Sequence, residues 1–201
     1  MSQKNLKCWN CNKYSDINSI FCVYCQKIQK PNERNIYEIF GLVPEYVINR
    51  REIEQKYFSL QRRIHPDNFM NSNENEKLFA EMHTAMINDA FKKINDSVSR
   101  ANELLKILGF DINFENSTFK DTKTLHEIMF LQEELEEIRN EKEKEILQNK
   151  VENLVNDDMN TLIENFNSKK LDEAFRTNVR ISYLKKLMNN IDSFILDRST
   201  L

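Results

Sequence analysis

Residues 49–67 read Asn49-Arg50-Arg51-Glu52-Ile53-Glu54-Gln55-Lys56-Tyr57-Phe58-Ser59-Leu60-Gln61-Arg62-Arg63-Ile64-His65-Pro66-Asp67. Asn49 suits a helix N-cap, and Glu52 three residues on completes an Asx version of the capping box. Ile53, Tyr57, Leu60 and Ile64 then recur at i, i+4, i+7 and i+11, which is one face of a helix. The remaining faces carry Arg50, Arg51, Lys56, Arg62 and Arg63 against only Glu52 and Glu54. Pro66 stops the helix and drives His65 out of the α region. The Asn-rich run from Asn68 to Asn75 reads as a loop. A second helix follows, with Phe79, Met82, Met86, Ala90 and Ile94 at helical spacing and Ile87 and Phe91 alongside. Two antiparallel helices joined in this way display His65-Pro66-Asp67 at the tip of a hairpin.

Upstream, Ile36, Ile39 and Phe40 predict a short helix that stops near Gly41, preceded by a linker at Pro31-Asn32-Glu33. Downstream, Ala101 to Leu108 predicts another helix ended by Gly109. A neighbouring His and Asp also suit acid–base chemistry. The central segment, however, offers them no Ser or Cys nucleophile, and His83 and His126 fall on different helices. Display is therefore the favoured reading, and the chain is expected not to be an enzyme.

Composition agrees with helices. Among 201 residues there are only two Gly and three Pro, too few for the tight turns of sheets or for phosphate-binding loops. The content of 40% hydrophobic and 30% charged residues fits a water-soluble fold, and no apolar run reaches the length of a membrane span. A net charge of −3 gives no reason to expect a nucleic-acid partner. Residues 1–7 show neither a secretory apolar core nor an Arg-rich transit peptide, which fits either a cytoplasmic protein or one whose presequence is atypical or outside this sequence.

All four cysteines, Cys8, Cys11, Cys22 and Cys25, lie within the first 25 residues as two CxxC pairs. Each pair can turn two sulfurs toward one centre. Four thiolates complete a closed tetrahedral Zn site, which is structural because it leaves no position for a reactive water. Such a site would supply folding free energy to a segment too short to build its own core, with Trp9 and Phe21 as a small apolar cap. Two disulfides or a redox CxxC are weaker readings in the absence of a secretory signal or a βαβ pattern.

From Thr124 onward the pattern is helical again. Leu125, Ile128 and Met129 lie along one stripe, with Leu131, Leu135 and Ile138 on or near a neighbouring one. Later segments carry Leu147, Val151, Leu154, Val155, Met159, Leu162 and Phe166, then Leu171, Ala174, Phe175, Leu184, Leu187, Met188, Ile191 and Ile195. Three such helices predict an antiparallel bundle. Residues 122–158 carry more Asp and Glu than Lys and Arg, opposite in sign to the helix before His65.

The basic helix, His65-Pro66-Asp67, the polar loop and the apolar return helix together resemble a J domain. With the bundle opening at Phe119-Lys120-Asp121-Thr122-Lys123-Thr124-Leu125, the order of parts resembles the HscB-type co-chaperones of iron–sulfur cluster biogenesis. The tetracysteine module is similar to that of the eukaryotic branch. The resemblance implies an all-α fold, with a zinc-ribbon-like module over 1–31, a J domain over 35–109 and a three-helix bundle over 119–199. It implies that His65, Pro66 and Asp67, with Lys56, Arg62 and Arg63, dock on a DnaK-class heat-shock chaperone and stimulate its ATPase. It implies further that Leu125, Met129, Glu133 and Tyr183 bind the iron–sulfur scaffold protein, which promotes cluster transfer to recipients. His126 and Phe130 depart from the family pattern, which has an apolar and an acidic residue there. The resemblance also implies the mitochondrial matrix, with the cytoplasm as the alternative. A general J protein for protein folding, or a zinc-ribbon nucleic-acid binder, are the competing readings. A homodimer is left open.

Overall fold

The computed structural model describes residues 5–111 and 122–194. The expected linker over 110–121 lies largely outside these residues, as do Phe119 and Ile195. The described architecture is helical apart from one small hairpin of strands. Contacts divide the chain into two compact units, Met1–Ser97 and Val98–Leu201.

The first unit opens with the antiparallel strands β1 (Asn5–Lys7) and β2 (Tyr14–Asp16), paired Asn5 to Asp16 and Lys7 to Tyr14. Helix α1 (Ile36–Phe40) has a full capping box: the Asn35 side chain accepts from Tyr37 and Glu38 N–H, and Glu38 reaches back to Asn35 N–H. Gly41 closes it in the left-handed region at φ 58°, where its N–H donates to Glu38 O and Leu42 N–H to Tyr37 O.

Helix α2 (Arg50–Ile64) begins at Asn49, whose side chain accepts from Glu52 N–H. The Glu52 carboxylate turns to Lys56 at 2.9 Å, one turn further along the helix. Ile53 and Ile64 are buried, while Tyr57 and Leu60 are half-buried. The tip is more ordered than the loop expected from Asn68 to Asn75. Pro66–Phe69 forms a 3-10 turn, which Pro can open because its missing N–H has no role there.

Helix α3 (Glu74–Asn95) then returns, capped by Asn73. Its buried stripe is Glu76, Ala80, His83, Ile87, Ala90 and Ile94, displaced by about one residue from the expected Phe79–Met82–Met86 stripe. The displacement has a physical cause: the N-terminal half of α3 packs on the cysteine module and the tip, Ala80 with Ile28 and Phe69 and His83 against Gln29 O, while its C-terminal half meets the aromatic rings of α1 and α2. There Phe91 stacks on Tyr57 with ring centroids 4.0 Å apart and meets Phe40 edge-on at 6.5 Å.

Helix α4 (Ser97–Ile107) ends at Gly109, φ 80°, with Gly109 N–H donating to Lys106 O and Phe110 N–H to Leu105 O. The domain expected over 35–109 includes this helix, yet its contacts group it with the second unit. The buried Asn178 amide donates to Val98 O and Asn102 Oδ1, and Phe110 packs against Phe175.

The rest of that unit is the three-helix bundle: α5 (Thr122–Glu136), α6 (Glu141–Asn167) and α7 (Leu171–Ser193). Ile128, Leu131, Leu135, Ile138, Leu147, Val151, Leu184, Leu187 and Ile191 form one core. Arg180 ties the helices together at one level, reaching Asp158 Oδ1 of α6 at 2.6 Å and Glu127 Oε1 of α5 at 3.0 Å. Burial pushes the Asp158 carboxyl above its ordinary range, an effect that the Arg180 guanidinium opposes. Among the described residues no helix is long and apolar enough to cross a membrane.

Candidate functional sites: a cysteine centre, a displayed tip and an outer bundle face

The two CxxC turns share one geometry. Cys8 N–H donates to Lys13 O at 2.9 Å and Asn12 N–H to Cys8 O at 3.0 Å. Fourteen positions later the same bonds run from Cys22 to Lys27 O and from Gln26 to Cys22 O, both at 2.9 Å. Asn12 and Gln26 close the turns at φ near +60°, a conformation Asn tolerates better than most side chains. The four sulfurs lie within 4.8 Å of one another. Cys8–Cys25 and Cys11–Cys22 are each 3.7 Å apart. Sulfurs at about 2.3 Å from a tetrahedral ion stand about 3.8 Å apart, so the set fits one metal ion.

The electrostatics agree. Burial raises the Cys8 thiol, but the N–H groups of Cys11 and Asn10 and the adjacent thiols outweigh it and bring Cys8 to about 6. Lys13 N–H lowers Cys11; burial and the three neighbouring sulfurs overcome it and push Cys11 to about 11. The first proton leaves easily and a later one resists, because crowded thiolates repel. A bound cation removes that repulsion.

At the tip, His65 and Asp67 are exposed and Pro66 half-buried. Asp67 N–H donates to His65 Nδ1 at 3.3 Å, so the imidazole caps the 3-10 turn, and the same ring nitrogen lies 3.5 Å from Asp67 Oδ2. The Asn68 side chain donates to Arg62 O and fastens the turn to the end of α2. Arg62 and Arg63 are exposed. Arg63 lies over the Phe21 ring, 5.2 Å from its centre, and Lys56 donates to Gly41 O. An open cleft between the cysteine module and α2 is bordered by Phe21, Arg34, Phe40, Lys56 and Arg63.

On the bundle, helical periodicity could not separate inner from outer positions of α5, and the structure does. Ile128, Leu131 and Leu135 point inward. Leu125 is 44% exposed, Met129 50% and Phe130 64%, with Glu133 and His126 exposed beside them. Tyr183 of α7 is half-buried against the bundle core. Sequence reasoning missed two site-supporting residues, Lys27 and His83, because their partners Glu76 and Gln29 lie 49 and 54 residues away in the chain.

The family model for the HSCB C-terminal oligomerisation domain matches residues 120–192. A co-chaperone protein HscB homolog of Vibrio vulnificus is 32% identical over 162 residues, covering 79% of this chain and 95% of its own length. The chain belongs to the HscB co-chaperone family. A second HscB homolog, from Shewanella halifaxensis, is 39% identical over 105 residues, and the match spans 60% of that protein's length. The iron–sulfur cluster co-chaperone protein HscB homolog of Arabidopsis thaliana is 28% identical over 191 residues, covering 94% of this chain and 75% of that protein. The crystal structure of human co-chaperone protein HscB superimposes with a TM-score of 0.86 at 26% identity, covering 93% of this chain and 97% of its own.

Proposed function

We infer that this chain is a co-chaperone of iron–sulfur cluster biogenesis, of the eukaryotic type that carries an N-terminal zinc module. The observation that carries the reading is the pairing, on one chain, of an exposed His65-Pro66-Asp67 turn ending a basic helix with an HscB bundle that leaves Leu125 and Met129 in solvent.

The bundle holds an iron–sulfur scaffold protein. Leu125 and Met129 supply the apolar contacts, Glu133 an adjacent charge and Tyr183 an aromatic edge. The exposed Phe130 widens the apolar face, and the exposed Glu133 keeps one charge beside it. The hairpin, as a J domain, meets a DnaK-class heat-shock chaperone. Lys56, Arg62 and Arg63 attract an acidic surface, which raises the association rate. His65, Pro66 and Asp67 make the specific contacts that stimulate ATP hydrolysis by that chaperone. Tethering two partners on one chain raises the local concentration of scaffold at the chaperone and promotes cluster transfer. The chain itself performs no bond chemistry in this scheme.

Zinc is the metal proposed for Cys8, Cys11, Cys22 and Cys25. Bound there it cross-links the two CxxC turns. The mitochondrial matrix is the proposed compartment. The test is recovery of partners on the full chain as bait, followed by calorimetry with each purified partner. A DnaK-class chaperone together with an iron–sulfur scaffold supports the reading. Recovery of a chaperone with unfolded clients and no measurable scaffold affinity contradicts it.

A further inference from the structure

The cysteine module and the displayed tip are built on the same few side chains. Ile28, Ala80 and Phe69 form one buried cluster, with Ile20, Phe21 and Phe79 packed against it. Ile28 follows the last cysteine by three residues. Phe69 is the last residue of the 3-10 turn that Pro66 opens. The strip from Lys27 to Gln29 is held to α3 along its length. Lys27 Nζ meets Glu76 Oε2 at 2.9 Å, Ile28 packs on Ala80, and Gln29 O lies 2.9 Å from Nε2 of the buried His83. Trp9, inside the first CxxC turn, donates its indole N–H to Ile28 O at 2.8 Å and meets Phe79 edge-on at 6.0 Å.

Glu76, Phe79, Ala80 and His83 stand at i, i+3, i+4 and i+7. They form one stripe of α3, and the whole stripe faces the module. Within the module the strip is tied, apart from Trp9, to the chain around the second CxxC turn: Cys22 N–H donates to Lys27 O at 2.9 Å and Gln29 N–H to Ile20 O at 2.8 Å, and Ile28 bridges to Phe21. Its register follows from the geometry of that turn, and the turn's geometry follows from where its sulfurs are held.

We propose that the cysteine module positions the His65-Pro66-Asp67 turn. Metal-held turns keep Ile28 seated beneath Phe69, and Phe69 fixes the orientation in which the turn presents His65 and Asp67. Loss of the metal frees the 27–29 strip, uncovers Phe69 and the α3 stripe, and loosens the tip. Ile28, Phe69 and Trp9 are thus positioning residues. The consequence for chaperone stimulation rests on the function proposed above; the coupling itself is a property of this chain alone.

Amide exchange on the full chain tests it. Asn68, Met70 and Ser72 N–H groups bond within the turn, to His65 O, Asp67 O and Phe69 O. After metal removal with a chelator under reducing conditions, these amides should exchange about tenfold faster, because the turn opens locally while the bundle stays folded. Amides of Leu147 and Val151 should not change, and added zinc should restore protection. Equal exchange with and without metal overturns the proposal. A second arm keeps the metal in place. Ile28→Ser should speed the same three amides while the chain still binds one zinc, and Ile28→Val should not; unchanged exchange in Ile28→Ser also overturns it. Failure of the metal-loaded wild-type chain to stimulate any DnaK-class ATPase would sink the proposed function instead and leave the exchange result standing.

Discussion

Lys27 Nζ and Glu76 Oε2 lie 2.9 Å apart, joining the residue two places after Cys25 to the first turn of α3 across 49 residues of sequence. The carboxylate is nearly inaccessible and the ammonium partly exposed. Breaking such a pair from one side strands the buried partner, which is costlier than the pair itself is stabilising. Lys27→Ala should therefore cost the first unit about 1–2 kcal/mol, more than an ordinary surface charge deletion. The double replacement Lys27→Ala with Glu76→Gln should recover part of it. Denaturant titrations of the four proteins in the cycle check both statements.

His83 gives the first unit a pH dependence. It is 2% exposed, and its Nε2 sits against Gln29 O. Burial pushes the imidazole below its ordinary pKa; the bond to Gln29 O opposes the shift and the nearby Arg34 adds to it. The folded chain thus holds His83 neutral where the unfolded chain begins to bind a proton. Stability should be constant above about pH 6.5 and decline as pH falls below it, until the folded-state pKa is passed. His83→Gln keeps an N–H donor for Gln29 O and should flatten that decline. Chemical melts at pH 7.5 and 5.5 check the slope.

The organisation of the chain was legible where it depends on short-range chemistry. The CxxC pairs, the cap at Asn49, the break at Pro66 and the stops at Gly41 and Gly109 all act within a few residues, and each is found in the structure. The docking of the module was not legible. Phe79 fits the apolar period of α3, but it turns to Trp9, seventy positions earlier; Gln29 and His83 meet across 54 residues. Periodicity records that a face is buried and not what buries it. The same limit applied to α4, whose apolar residues suit either unit, and to α5, where Leu125 and Met129 share the character of Ile128 but face solvent.

Arg180 should prove the key polar residue of the bundle. It pairs with Asp158, itself largely buried, and with Glu127. Arg180→Ala leaves the Asp158 carboxylate without its cation and should cost about 2–4 kcal/mol. Replacing Arg180 by Met together with Asp158 by Leu removes both charges and should cost much less. Thermal melts of the isolated changes and their combination separate these outcomes.

The outer face of α5 should uncouple binding from stability. Alanine at Leu125 or Met129 should change stability by no more than about 0.5 kcal/mol, since half of each side chain is already in water. Leu131→Ala, inside the core, should cost about 2–5 kcal/mol. Scaffold affinity should follow the opposite order. Tyr183→Ala should lower both, because that ring is half-buried against the core.

The most direct test of the central claim is ATPase stimulation of a DnaK-class chaperone by the wild-type chain and by His65→Gln, each with purified scaffold. Gln cannot reproduce the ring that caps the turn at Asp67 N–H, and it leaves the bundle untouched. The wild-type chain should stimulate hydrolysis, and His65→Gln should lose that stimulation while binding scaffold with unchanged affinity. Stimulation by His65→Gln at the wild-type level would contradict the account.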